Sequence, residues 1–176
     1  MFDFPVKIMP RWRRYRWLIL LLAALPGYVT VQAASENAQV VAEVVITLSL
    51  VNETDMVFGD IASSNDPGTV ILSPDGSRIT TGGTFVNSTV SGGPAVFDVN
   101  GLPNAVYAIT LPNSVVLTGA SGNSMVVDNF TSLPATTGLT DPGGEQNLFV
   151  GGTLNVDSNQ AVGSYSGIMS VTVVYN

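Results

Sequence analysis

Apolar residues alternate with polar residues over short runs along most of this chain, a pattern typical of half-buried β-strands. Gly, Pro, Ser, Thr and Asn interrupt these runs every few residues, and no stretch shows convincing helical periodicity. Turn signals recur at a spacing that predicts about nine or ten strands. We therefore expect an all-β protein, an antiparallel immunoglobulin-like β-sandwich. A sandwich is favoured over a barrel because strand lengths vary and Pro and Gly residues can mark sheet edges.

The individual strand signals are separated by turn residues such as Ser73-Pro74-Asp75-Gly76, where Pro and Gly supply the required backbone angles. The predicted strands cover residues 38–50, 57–61, 69–72, 84–86, 95–99, 107–111, 115–118, 125–130, 147–156 and 165–175. Residues 131–146 are the loosest stretch and are predicted to form a long loop on the sandwich.

Two of the predicted strands carry unusually long apolar faces. The N-terminal face consists of Val40, Ala42, Val44, Ile46, Leu48 and Leu50. The C-terminal face consists of Tyr165, Gly167, Met169, Val171, Val173 and Tyr175. Residues 38–50 are either the first strand of the chain's own sandwich or an extension that pairs with another chain. An open strand edge is a template for such pairing.

The first 33 residues have the three parts of a secretory signal. A basic stretch ends at Arg16, a short apolar run covers residues 17–25, and Val31-Gln32-Ala33 supplies small residues for a signal peptidase. The apolar run is too short to span a membrane, which takes about 20 residues. We expect cleavage after Ala33 or one residue later. The mature chain, residues 34–176, is then a single domain exported to the periplasm, the cell surface or the extracellular space.

Beyond the signal, the charge is strongly acidic, with Arg78 as the single base against twelve acidic residues. Such a surface repels phosphate backbones and anionic headgroups. Nucleic-acid binding is therefore not expected. No transmembrane segment is predicted in the mature chain.

The residue types present limit the chemistry of the protein. The chain has no His and no Cys, so a disulfide, a thiol nucleophile, a Ser-His-Asp triad and an ordinary zinc site are excluded. Paired carboxylates are the remaining acid–base option, and oxygen ligands in loops such as Asn65-Asp66 or 141–145 are the remaining option for calcium. The acids lie mostly in turn motifs, where Asp caps its own backbone. We predict no catalytic residue, no cofactor and no metal site.

Several motifs resemble a bacterial secreted domain family catalogued only as being of unknown function. They are Met56–Ile61, Val70–Gly76, Tyr107–Pro112, Phe149–Leu154, Gly163–Gly167 and Val171–Tyr175. The C-terminal motifs also resemble the ends of chaperone–usher pilins and spore-coat-U-like proteins. That resemblance implies an incomplete sandwich that the N-terminal extension of another subunit completes, with residues 40–50 as the donor strand.

These observations predict a secreted, non-enzymatic structural subunit of the cell surface or of a fimbrial-type fibre, and donor-strand exchange is the mode of assembly that the pilin resemblance implies. The predicted partners are copies of the chain itself or a periplasmic chaperone. The alternative is a secreted monomeric binding module that recognises a glycan or a protein through its loops.

Overall fold

The computed structural model describes residues 35–87 and 91–176. The chain divides into two units, one ending at Ala42 and a compact one running from Glu43 to Asn176. The described part of the first unit, residues 35–42, is exposed and contains no strand. The predicted signal peptide, residues 1–33, lies outside the described residues.

The described part of the chain contains β-strands and no helix, and all the strand pairs are antiparallel. The thirteen strands are β1 (Ser49–Thr54), β2 (Ile61–Ala62), β3 (Gly68–Leu72), β4 (Arg78–Gly82), β5 (Phe85–Val86), β6 (Ala95–Asn100), β7 (Val106–Thr110), β8 (Ser114–Gly119), β9 (Ser124–Leu133), β10 (Thr137–Leu139), β11 (Glu145–Val156), β12 (Tyr165–Ser166) and β13 (Thr172–Tyr175). The predicted all-β, antiparallel fold is confirmed.

Strand β11, with 12 residues, organises the large sheet. Its first half pairs with β6, its second half pairs with β3, and its other edge pairs with β9. The resulting eight-stranded sheet has the order β1-β6-β11-β9-β8-β12, with β3 and β4 continuing from the second half of β11. A three-stranded sheet has the order β10-β7-β13, and β2 pairs with β5 in a separate ribbon.

The partner change along β11 occurs at Gly151 and depends on the absence of a side chain there. A Cβ atom at Gly151 would collide with the carbonyl oxygen of Leu72 in the neighbouring strand β3. The pairing of β11 with β9 also shifts register between Gly151 and Thr153. Such a bulge bends a strand, so the long strand can serve two parts of a curled sheet.

Apolar side chains between the layers form two clusters among the described residues. Cluster A is formed by Ala95, Phe97, Val99, Tyr107, Ile109, Leu148 and Val150, and it lies between the large and the three-stranded sheets. Cluster B is formed by Phe58, Val70, Leu72, Met125, Val127, Leu154 and Val156, with the β2–β5 ribbon packed on it through Ile61 and Val86. Burial of these faces makes the fold a β-sandwich.

A partly buried polar contact joins the layers beside cluster A. The Tyr107 hydroxyl donates a hydrogen bond of 2.8 Å to Oε1 of Gln146, which also accepts the backbone N–H of Leu139 at 2.9 Å. Strands β7, β10 and β11 are thereby linked. A tyrosine hydroxyl is protonated and can donate at neutral pH, and burial raises the pKa of Tyr107 further.

The structure contains more strands than the alternation predicts. Strand β4 is not among the predicted strands. It lacks a regular buried face, and its largest apolar residue, Ile79, is exposed. Strand β10 lies within the predicted loop 131–146, and Gly138 at its centre carries no side chain that could signal a strand. The third difference, at the C-terminus, affects the candidate site directly.

Candidate functional site

The C-terminal apolar segment forms two short strands in different sheets rather than one strand over residues 165–175. Strand β12 pairs with β8 in the large sheet, and β13 pairs with β7 in the three-stranded sheet. Residues 167–171 connect them without strand pairing. The predicted continuous strand is therefore wrong, because the two halves of the segment find their hydrogen-bonding partners in different layers.

The predicted inward face of this segment is nevertheless correct at five of its six positions. Residues Tyr165, Met169, Val171, Val173 and Tyr175 are half-buried, whereas Gly167 is exposed. The residues between them point outward, as Ile168 at 90% and Val174 at 58% exposure show. Tyr165 packs against cluster B, and the other four half-buried residues pack against cluster A.

An incompletely covered strip of the core lies beside strands β1 and β13. Within the described part of the chain, β13 pairs with β7 alone and β1 pairs with β6 alone, so each has one edge without a hydrogen-bonded strand, although the two strands approach each other. Side chains from both sides pack on cluster A yet remain half-buried. We call this strip the seam and define it by Leu48, Leu50, Met169, Val171 and Val173.

Tyr175 closes one end of the seam. Its hydroxyl accepts the backbone N–H of Leu102 at 2.6 Å and donates a long hydrogen bond of 3.5 Å to the carbonyl of Ile46. A side chain at Gly101 would collide with this hydroxyl. The alternation places Tyr175 on the same face as Val173 but does not indicate these contacts, because Leu102 and Ile46 are distant in the chain.

The N-terminal apolar face divides into an exposed part and a packed part. Val40 and Val44 are 92% and 95% exposed, Ile46 is 55% exposed, and Ala42 is also exposed. Leu48 and Leu50 lie in the seam.

The strand itself begins at Ser49, so the predicted strand over residues 38–50 is absent before that position. Ser49 pairs with Asn100, the last residue of β6. The preceding residues therefore have no β6 residue left to pair with. The part of the predicted donor face that precedes Ser49 thus forms no strand in the described structure.

Two carboxylates in turns, those of Asp75 and Asp141, serve as backbone caps. Asp75 accepts the N–H of Ser77 at 2.9 Å, and hydrogen bonds from the Ser77 side chain and backbone lower the pKa of Asp75. One oxygen of Asp141 accepts the N–H groups of Gly143 and Glu145 at 2.8 and 2.9 Å. Across residues 35–87 and 91–176, no group of three or more His, Cys, Asp or Glu residues could hold a metal ion. The same residues include no helix long and apolar enough to cross a membrane.

Comparison with known proteins gives one match. A family model described as a domain of unknown function (DUF4402) matches residues 48–175, which is well over half of the chain. The matched region begins at the first residue of the seam and ends at Tyr175, so the exposed part of the N-terminal face precedes it. Neither the curated proteins nor the solved structures include a match.

Proposed function

The chain belongs to the DUF4402 family of domains of unknown function, and we propose that it is an exported, non-enzymatic structural subunit of a surface fibre. In this proposal, residues 40–46 of one copy insert into the seam of the next copy. A single observation carries it. An exposed apolar face on residues 40–46 occurs in the same chain as an open strand edge over a half-covered core.

The apolar surface that residues 40–46 expose to water is energetically unfavourable. Burial of a Val or Ile side chain contributes about 1.5–3 kcal/mol. Val40, Val44 and Ile46 together therefore represent roughly 5–9 kcal/mol of unrealised burial, an upper limit because unfolded chains are partly compact. That is comparable with the stability of a whole domain, about 5–15 kcal/mol.

The two surfaces match in spacing and in hydrogen-bonding capacity. Val40, Ala42, Val44 and Ile46 repeat every second residue, and so do Met169, Val171 and Val173 in the seam. An inserted strand would pair its backbone with the free edge of β13 and direct its apolar side chains toward cluster A. Because each copy would offer one donor and one acceptor, assembly would be head-to-tail and open-ended.

The proposal also includes export of the chain and its protection by a chaperone before assembly. The predicted signal peptide directs the chain out of the cytoplasm, and a periplasmic chaperone would cover the seam until a second copy replaces it. The acidic surface would keep unassembled subunits soluble through like-charge repulsion.

Native mass measurement of the exported protein tests the proposal with a matched pair of variants. Val44→Asp places a charge on the donor face, whereas Val45→Asp places the same charge on the opposite face of the same segment. We expect the wild type and Val45→Asp to form ladders of oligomers, and Val44→Asp to remain monomeric with an unchanged far-UV CD spectrum.

A mixing experiment then separates the donor from the acceptor. Val171→Asp damages the seam but leaves residues 40–46 intact, whereas Val44→Asp leaves the seam intact. Neither variant should polymerise alone, and their mixture should stop at one-to-one dimers. A wild type that stays monomeric with a purified chaperone present, and whose residues 40–47 are protected from hydrogen exchange at high dilution, would contradict the proposal. That result would favour a monomeric binding module.

A further inference from the structure

The β2–β5 ribbon presents an aromatic side chain to solvent on the face opposite cluster B. Ile61 is paired with Val86, and both are half-buried against the core. The next pair, Ala62 and Phe85, therefore points outward, because successive side chains of a strand alternate between faces. Phe85 is 65% exposed, and the small Ala62 opposite leaves the ring uncovered from that side.

A carboxylate lies on the same outward face. The backbone N–H of Asn87 donates to the carbonyl of Asp60 at 2.9 Å, which extends the ribbon pairing by one step. Asp60 therefore lies on the same face of the ribbon as Ala62, two residues further along, and it is exposed. The outward face thus combines an aromatic ring with an acceptor group two residues away along the ribbon.

These side chains border a surface cleft of about 340 Å³. It is lined by Asp60, Ile61, Ala62, Phe85, Val86 and Asn87. That volume lies near the lower end of the range for small-molecule sites, about 300–1,000 Å³. The cleft is open to solvent, so a ligand would lie against its surface rather than inside an enclosed cavity.

We propose that this cleft binds a neutral pyranose. The apolar face of the sugar would stack on Phe85, the aromatic side chain among the lining residues. Sugar hydroxyls would donate hydrogen bonds to the Asp60 carboxylate, an acceptor with two oxygens. The lining includes no basic side chain and the chain as a whole is acidic, so anionic ligands are disfavoured. The site is separate from the seam and does not depend on fibre formation.

Saturation-transfer NMR with the exported protein tests this site, using the methyl glycosides of glucose, galactose and N-acetylglucosamine as probes at millimolar concentration. We expect transfer to at least one probe, strongest at the protons of one ring face. Phe85→Ala should weaken binding by at least about tenfold because it removes the stacking surface, and Asp60→Asn should also weaken it. Phe85→Tyr should retain binding because it keeps the ring.

The control is Val116→Ala, which shortens a side chain on β8 that is 57% exposed, and which should leave binding unchanged. Absence of transfer to every probe, or transfer that survives Phe85→Ala, would overturn the proposal. Dissociation of oligomers by Phe85→Ala, without sugar binding by the wild type, would also overturn it and would assign the ring to protein contact. Val44→Asp should bind the sugar normally, so failure of the fibre proposal and failure of this one are distinguishable.

Discussion

Two segments of the chain, residues 40–50 and 165–175, have nearly the same sequence pattern and very different surroundings. Residues 40–50 place an apolar side chain at every second position, and residues 165–175 do so at every second position except Gly167. In the C-terminal segment, five of the six face residues are half-buried against the core. In the N-terminal segment, only Leu48 and Leu50 reach the core, and Val40 and Val44 are more than 90% exposed.

The difference lies in the availability of partner strands rather than in the segments themselves. Strand β13 has β7 beside it over its whole length. Strand β1 begins opposite Asn100, where β6 ends, so the residues before Ser49 have no continuing ladder in β6. A strand needs both an apolar contact and a hydrogen-bonding neighbour. In the described structure, residues 40–46 have exposed side chains and no strand paired with them, although the Ile46 carbonyl accepts the long hydrogen bond from Tyr175.

The largest expected contrast comes from placing the same charge in each segment. Val173→Asp puts a carboxylate against cluster A and should lower the free energy of unfolding by about 2–3 kcal/mol. Val44→Asp in the monomer should change it by less than about 0.5 kcal/mol, since an exposed position loses no contact. Urea denaturation of both variants at a concentration where neither assembles measures the difference. Equal destabilisation would mean that residues 40–46 fold back onto their own chain.

A smaller difference in stability is expected when a side chain is enlarged in each segment. A Cβ at Gly167 would lie 2.6 Å from the carbonyl oxygen of Val116, so Gly167→Ala should destabilise the protein by about 1–3 kcal/mol through overpacking. Ala42→Val enlarges an exposed side chain and should have no measurable effect on the monomer. Thermal unfolding followed by CD compares the two. An unchanged melting temperature for Gly167→Ala would show that residues 167–171 are free to move away from β8.

The link between the two segments can be removed by deleting one oxygen atom. Tyr175→Phe leaves the Leu102 N–H without its acceptor and removes the long hydrogen bond to Ile46. We expect a loss of about 1 kcal/mol and faster hydrogen exchange at Leu102. Val174→Ala, which trims an outward residue of the same strand, is the matched control and should change neither quantity. Slow exchange at Leu102 in Tyr175→Phe would contradict the assigned hydrogen bond.

The smallest expected effect lies outside both segments, at the Asp75 turn. The pKa of Asp75 is lowered in the folded protein, so its contribution to stability is present above the unfolded pKa and is lost as the pH falls through the folded pKa. Asp75→Ala should therefore lower the melting temperature slightly at pH 7, and the difference from wild type should vanish in strong acid. A difference that persists in strong acid would mean that the carboxylate charge is not its source.

Strands with a strictly alternating, well-buried face were predictable from the sequence. Ala95, Phe97 and Val99 in β6 and the long apolar run of β11 were identified in this way, and both lie at the centre of the large sheet. Strands β4 and β10 were missed because their side chains carry no consistent inward face. Strand β4 pairs with β3, and β10 pairs with β7. Backbone pairing of this kind does not require a particular side-chain pattern, so the sequence does not reveal it.

The candidate site was only partly predictable, because it too depends on strand pairing that the side-chain pattern does not reveal. The inward phase of Met169, Val171 and Val173 follows from alternation and agrees with the structure. Their incomplete burial does not follow, because it depends on β1 and β13 lying at free edges of two different sheets. The outward Phe85 was overlooked because β5 is only two residues long and its phase becomes visible only when paired with β2.

The sequence by itself determined the all-β class, the excluded chemistry and the face that each regular strand turns inward, since these depend on residue type and on a local period of two. Only the tertiary structure decided which strands pair, that the C-terminal segment crosses between two sheets, and that the N-terminal face stays exposed beyond the end of β6. Those outcomes depend on backbone hydrogen bonds between residues far apart in the chain. Every residue except proline offers the same backbone donor and acceptor, so side-chain identity leaves the choice of partner open.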